Sequence, residues 1–200
     1  MKVLLLNKES RIYSSNAYLV LGTWNRLDDM NTLIDVGTDE SILREIRKAN
    51  TGVGKKRVEQ VILTHNHFDH TGNLRAITEA YQPRVYAYSD GEYVDETLKD
   101  GQKLKVGDRE FEVIHTPVHS SDSICLYCAE EGILFSGDTP LRIIGIGGTY
   151  STSFVTVLES LKKLDIRAVY SGHDKPSKKG IREMLETTVK NVKTSGLLMF

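Results

Sequence analysis

The chain has 200 residues, 40% of them hydrophobic and 26% charged, which excludes a disordered or fibrous polymer and fits a single globular domain spanning residues 1–200. Twenty-six basic side chains against twenty-seven acidic ones give a net charge of −1, so a protein that works by neutralising nucleic-acid phosphates is not expected. No apolar run approaches the roughly 18 residues of a membrane span, and Met1–Leu6 turns polar too early for a signal peptide. The expectation is a cytoplasmic chain acting on a small molecule, with no nucleic-acid or membrane partner, as a monomer or a homo-oligomer.

In chain order, Val3–Leu6, Ala17–Leu21 and Thr32–Val36 read as strands. Thr38–Ser41 offers capping residues for a helix with Ile42, Leu43 and Ile46 on one face. Val58–Leu63 is a strand, and Leu74, Ile77 and Ala80–Tyr81 place a helix after it, stopped by Pro83. Val85–Tyr88 follows as a strand. Lys103–Val106, Arg109–Ile114, Ser123–Cys128 and Gly132–Phe135 form a strand-rich block with a hairpin turn at Glu130–Gly132. Ser151–Leu164 reads as a helix, Ala168–Tyr170 as a strand and Ile181–Val192 as a closing helix. Two strand-rich blocks that each carry helices predict an α/β protein of two sheets packed face to face, with helices outside.

The chemistry concentrates in Thr64-His65-Asn66-His67-Phe68-Asp69-His70, which holds three of the six histidines. Imidazole and carboxylate suit a borderline divalent metal. In extended backbone, His65 and His67 point the same way and can grip one ion, while Asp69 and His70 turn elsewhere and can serve another. His119, Asp138 and His173 each follow a predicted strand across a short turn, as His65–His70 does. Four strand ends thus deliver metal-type ligands, and strand-end loops are where a rigid scaffold holds reactive groups. His115, inside a strand pattern, reads as structural. Cys125 and Cys128 sit in a strand at an odd offset, face opposite sides and cannot form a disulfide, so they read as buried thiols.

These motifs resemble the metallo-β-lactamase superfamily, whose H-x-H-x-D-H sequence stands here as His65–His70. A His after Thr-Pro (His119), an Asp in Ser-Gly-Asp (Asp138) and a final Gly-His (His173) follow in order. The match runs from about Asn16 to Asp174. It implies an αβ/βα four-layer sandwich with two zinc ions per chain, iron or manganese being the alternatives. By the resemblance, metal 1 is held by His65, His67 and His119; metal 2 is held by Asp69, His70 and His173, with Asp138 bridging. The wording around His65–His70, Ser136–Thr139 and Ser171–His173 looks like the hydroxyacylglutathione hydrolase (glyoxalase II) branch, without its C-terminal helical region. Val118 stands where that branch commonly has Gly, so the loop before His119 is expected to take another path. Pro140 also alters the segment after Asp138.

The implied activity is hydrolysis of a thioester, ester or lactone by a hydroxide activated between two metals, with Asp69 as the catalytic group that orients it. The rivals are a persulfide dioxygenase-like oxidoreductase with one iron on positions such as His65, His119 and Asp138, and a metal-binding domain without turnover. Gly145–Tyr150 reads equally as a flap that lets Tyr150 touch substrate or as a turn into the Ser151 helix. Lys175, Lys178 and Lys179 read as a solvated helix start, with attraction of an anionic substrate tail as the alternative. Thr51–Lys56 reads as a solvated loop, and the apolar end Leu197–Phe200 is expected to dock on the body.

Overall fold

Strands that are apolar on both faces need a layer on each side, and this requirement organises the chain. The computed structural model describes residues 1–8 and 10–198. The N-terminal half contributes β1 (Lys2–Leu5), β2 (Tyr18–Leu21), β3 (Thr32–Ile34), β4 (Gln60–Ile62), β5 (Arg84–Ala87) and β6 (Glu96–Thr97), with α1 (Ser41–Lys48), α2 (Phe68–Thr71) and α3 (Leu74–Tyr81) between them. Those strands form one sheet in sequence order, antiparallel from β1 to β3 and parallel from β3 to β6. The C-terminal half contributes β7 (Lys103–Val106), β8 (Arg109–His115), β9 (Ile124–Cys128), β10 (Ile133–Gly137), β11 (Thr149–Ser151), α4 (Thr152–Lys162), β12 (Ala168–Ser171), α5 (Ile181–Thr194) and β13 (Gly196–Leu198). Its main sheet runs β12-β10-β9-β8-β7, and β11 pairs with β13 in a separate ribbon. Among the described residues, no helix is long and apolar enough to cross a membrane.

Alternation along the strands divides the interior into three cores. Tyr18 and Val20 of β2 point between the sheets with Ile34, Ile62, Phe111, Phe135 and Tyr170. Leu19 and Leu21 point the other way, where Ile42 and Ile46 of α1 and Leu74 and Ile77 of α3 cover them. The second sheet repeats the arrangement, its outer face lying under Phe154, Leu158 and Leu161 of α4 and Leu185, Val189 and Val192 of α5. The result is the expected order of layers, helix–sheet–sheet–helix. Phe135 centres the middle core, with ring centroids 5.4 Å from Tyr18, 5.9 Å from Phe111 and 5.0 Å from Tyr170.

The two thiols behave as their spacing requires: Cys128 packs between the sheets and Cys125 beneath the helices, both buried and free. The hairpin between β9 and β10 forms, with Gly132 supplying a φ of +61°. Val118 avoids positive φ altogether and turns partly into the outer core, so the loop before His119 does take a path a β-branched residue accepts.

The C-terminal half also departs from expectation. The helix expected from Ser151 starts one residue later, because Ser151 ends β11 and caps the helix, its hydroxyl accepting from Phe154 N at 3.1 Å. The glycine-rich segment before it is a turn: Tyr150 packs on Phe154, centroids 5.6 Å apart, and belongs to the outer core. The apolar end docks through main-chain pairing of Gly196–Leu198 with Thr149–Ser151, while Leu197 remains 45% exposed. Met199 and Phe200 lie outside the described residues.

Candidate metal centre

Each expected ligand follows a strand. β4 leads into His65, β8 into His119, β10 into Asp138 and β12 into His173. His67 keeps extended backbone (φ −65°, ψ 145°), so it faces the same way as His65, and the chain then enters the single turn of α2 that carries Asp69 and His70. The structure brings the seven side chains into two groups: His65, His67 and His119; and Asp69, His70, Asp138 and His173.

In the first group, His67 Nδ1 lies 3.0 Å from His65 Nε2 and 2.9 Å from His119 Nε2. A ring nitrogen has one lone pair or one proton and cannot bond to both neighbours, so hydrogen bonding does not account for the cluster. A cation does: nitrogens held at about 2.0–2.1 Å from one tetrahedral ion sit about 3.3 Å apart. In the second group, His173 Nε2 is 3.0 Å from Asp69 Oδ2, and His70 Nε2 is 3.2 Å from Asp138 Oδ1. Asp69 Oδ2, His70 Nε2 and Asp138 Oδ1 are all buried and make no hydrogen bond. Each such orphan costs about 1–3 kcal/mol, and a divalent ion satisfies two carboxylates and an imidazole together. Asp138 spans the groups, its Oδ2 being 3.5 Å from His119 Nε2 and 3.3 Å from His173 Nε2. The donor set fits a divalent metal.

Buried partners fix which nitrogen each ring presents. Asp35 Oδ2 accepts from His70 Nδ1 at 2.8 Å, since an ionised carboxylate can only accept, and this leaves Nε2 facing Asp138. Asp35 also accepts from Thr64 N and Thr64 Oγ1, both at 2.8 Å, and Thr64 Oγ1 lies 3.2 Å from His65 Nδ1. One carboxylate thus orients a ligand candidate in each group. Asp35 was missed in the sequence, although it ends β3 in Asp35-Val36-Gly37, the strand-end placement that revealed the others. Its φ of +53° is a conformation that Asp tolerates better than most residues.

Loops lock the centre further. Asn66 N donates to Asp122 Oδ2 at 2.9 Å, tying the His65–His70 motif to the loop that carries His119. Gly172 N donates to Gly137 O at 2.8 Å, joining the Asp138 and His173 loops. His115 belongs to neither group; it stacks on Tyr88 at 3.9 Å and donates from Nε2 to Ser121 O, the structural role expected of it.

Burial and charge set the protonation of the metal-stripped centre. Burial, followed by the charge of His70, lowers His65 to about 4. Burial also works against protonating His70, but Asp35 and Asp138 outweigh it and push His70 up to about 10. A folded pKa above the unfolded value of about 6.5 gives stability that is complete below that pH and lost as pH rises through 10. Stripped protein is therefore expected to lose on the order of a few kcal/mol between those limits, checked by denaturant midpoints across the window.

The second group opens onto a cleft of about 670 Å³ lined by His119, Asp138, His173, Leu141, Arg142 and Lys175. Arg142, which the sequence reading did not single out, and Lys175 form no ion pair among the described residues. Lys178 instead borders a separate concavity beside Ile166 and Arg182, and Lys179 lines neither.

The family model of the metallo-beta-lactamase superfamily matches residues 11–98 and 88–173. Over 168 residues the chain is 29% identical to the hydroxyacylglutathione hydrolase of Hydrogenovibrio crunogenus, an alignment covering 80% of this chain and 60% of that protein. The chain therefore spans less than two thirds of that relative's length. The crystal structure of ETHE1 from Myxococcus xanthus shares the fold with a TM-score of 0.69 at 22% identity, over 96% of this chain and 88% of that one. That of TTHA1623 in a di-iron-bound form gives 0.68 at 22% identity, over 96% and 98%. Ordered motifs, layered sheets and a family match across most of the chain agree, and the chain belongs to the metallo-beta-lactamase superfamily.

Proposed function

We propose that this chain is a metal-dependent hydrolase of a small thioester, ester or lactone. The observation that carries the reading is the pair of adjacent donor groups sharing Asp138 beside an open cleft. His65, His67 and His119 would hold one divalent ion and Asp69, His70 and His173 the other, with Asp138 between them. When bound, such a pair supplies Lewis acidity and lowers the pKa of water towards about 7.

The chain's own residues position what reacts. Asp69 would hold the second ion through its buried Oδ2, leaving its other carboxylate oxygen to orient an attacking water. Arg142 and Lys175 would receive an anionic tail at the cleft wall. A thiolate leaving group needs little protonation, which favours a thioester, and the hydroxyacylglutathione hydrolase relative points the same way. Zinc is the proposed metal. The likeness to a structure solved in a di-iron-bound form keeps iron as the alternative metal, which the second reading, an iron-dependent oxidoreductase, would require.

The test is metal analysis of protein purified without added metal, then turnover of thioesters, esters and lactones, each as a neutral and an anionic member. About two ions per chain are expected, with activity abolished by chelation and restored by zinc. R142A and K175A should raise KM several-fold for anionic members and leave neutral ones unchanged. Full hydrolysis after exhaustive chelation overturns the reading. Oxygen consumption with iron bound supports the oxidoreductase, and occupied sites without turnover on any member support a binding domain.

A further inference from the structure

The loop between β1 and β2 crosses the edge of the metal centre and, among the described residues, touches only one of its two halves. Ser15 N donates to Asp69 O at 3.0 Å, and Asn16 N donates to Gly172 O at 2.6 Å. Asn16 Nδ2 adds bonds to Ser171 O and Asp174 O, both 2.9 Å. The same four residues begin with Tyr13, whose ring stacks on the His173 imidazole, centroids 5.4 Å apart and planes 18° apart. Among the described contacts, none joins the segment to His65, His67 or His119.

A single exposed aromatic needs no special explanation, and Tyr13 is 77% exposed. Its surroundings set it apart. Thr38 fastens the segment that follows the ring, donating from Oγ1 to Tyr13 O at 2.7 Å and from N to the Ser14 hydroxyl at 2.9 Å. A ring kept in place with so little burial gains little from hydrophobic packing, and the group it meets is the donor His173. Outer partners of this kind restrict the orientation of a ligand and alter metal affinity without touching the ion.

We propose that Tyr13 is a positioning residue for the second ion alone, its stacked ring steadying the His173 imidazole. The proposal rests on the reading that the two donor groups each hold a metal. Tyr13→Phe keeps the stacked ring, while Tyr13→Ala removes it.

The experiment titrates metal-stripped wild type, Y13F, Y13A and the exposed neighbour control I12A with zinc against a chromophoric chelator, resolving two binding steps. The tighter step should stay within about twofold in every protein. The second should weaken about tenfold or more in Y13A and stay unchanged in Y13F, with I12A matching wild type. Thermal denaturation of the stripped proteins controls for folding. Equal weakening of both steps in Y13A, no change in either, or a loss in Y13F as large as in Y13A would overturn the proposal. Wild type that takes up fewer than two ions removes the two-ion reading and this proposal with it. Wild type with two ions beside an unaltered Y13A removes only the role of Tyr13.

Discussion

Replacing Asp35 by Ala is expected to destabilise the metal-stripped protein by about 3–5 kcal/mol, the cost of leaving a buried charge without its partner. The side chain is 3% exposed and His70 is fully enclosed, so water cannot take over the lost contact. Thr64 would lose its acceptor at both N and Oγ1, which loosens the entry to the His65–His70 motif. Asp35→Asn separates fold from chemistry. The amide has the same shape, and its oxygen can still accept from Thr64 N. Its NH₂ group, however, faces His70 Nδ1 and turns that nitrogen into an acceptor, placing the ring proton on Nε2, the atom that should face the metal. D35N should therefore fold better than D35A yet lose about 10–100-fold in affinity for the second ion, as D35A does. Denaturant midpoints and two-step zinc titrations measure the two effects. A D35N protein that binds the second ion as wild type does would show that His70 is not a ligand, or that Asp35 does not set its tautomer.

Gly172→Ala should be the most damaging single-methyl change to activity. A Cβ there would lie 2.1 Å from Asp138 Oδ1 and 2.8 Å from His70 Cε1. The backbone cannot retreat, because Gly172 N bonds to Gly137 O at 2.8 Å and Gly172 O accepts from Asn16 N at 2.6 Å. The carboxylate must swing instead, and Asp138 is the group that reaches both donor sets. A ligand displaced by an ångström is enough for a rate loss of about 100-fold, while overpacking costs roughly 1–3 kcal/mol. Under the hydrolase reading, kcat/KM of zinc-loaded G172A should fall at least that far in a protein that still melts cooperatively. G145A is the control, since nothing lies within 4 Å of a Cβ there, and it should behave as wild type. A fully active G172A would argue against Asp138 as a shared ligand.

The residues that could be read in advance share one property: their meaning is local. His65 and His67 are legible because two steps of extended chain fix where both rings point. The opposite facing of Cys125 and Cys128 follows from the period of a strand, and Gly132 declares a turn within a few residues. Asp35 went unseen because one acidic residue at a strand end carries no pattern, and its partner His70 is 35 positions away. Arg142 belonged to no motif and gained meaning only from the wall it lines. Tyr150 was open between two readings: the glycine-rich neighbourhood fitted a flap or a turn equally, and pairing of β11 with β13 and packing on Phe154 place that residue against the outer core.

The amino-acid order by itself determined the layered α/β architecture and which seven side chains carry metal-type donors, because alternation along strands and short turns at their ends are written within a few neighbouring residues. The tertiary structure alone decided that Asp35 orients His70, that Arg142 lines the cleft, and that the Tyr13–Asn16 loop grips Asp69 and the His173 loop. Asn16 meets Ser171 across 155 positions of chain. Such a meeting is fixed by how two sheets bury their shared faces, and no stretch of local sequence contains that information.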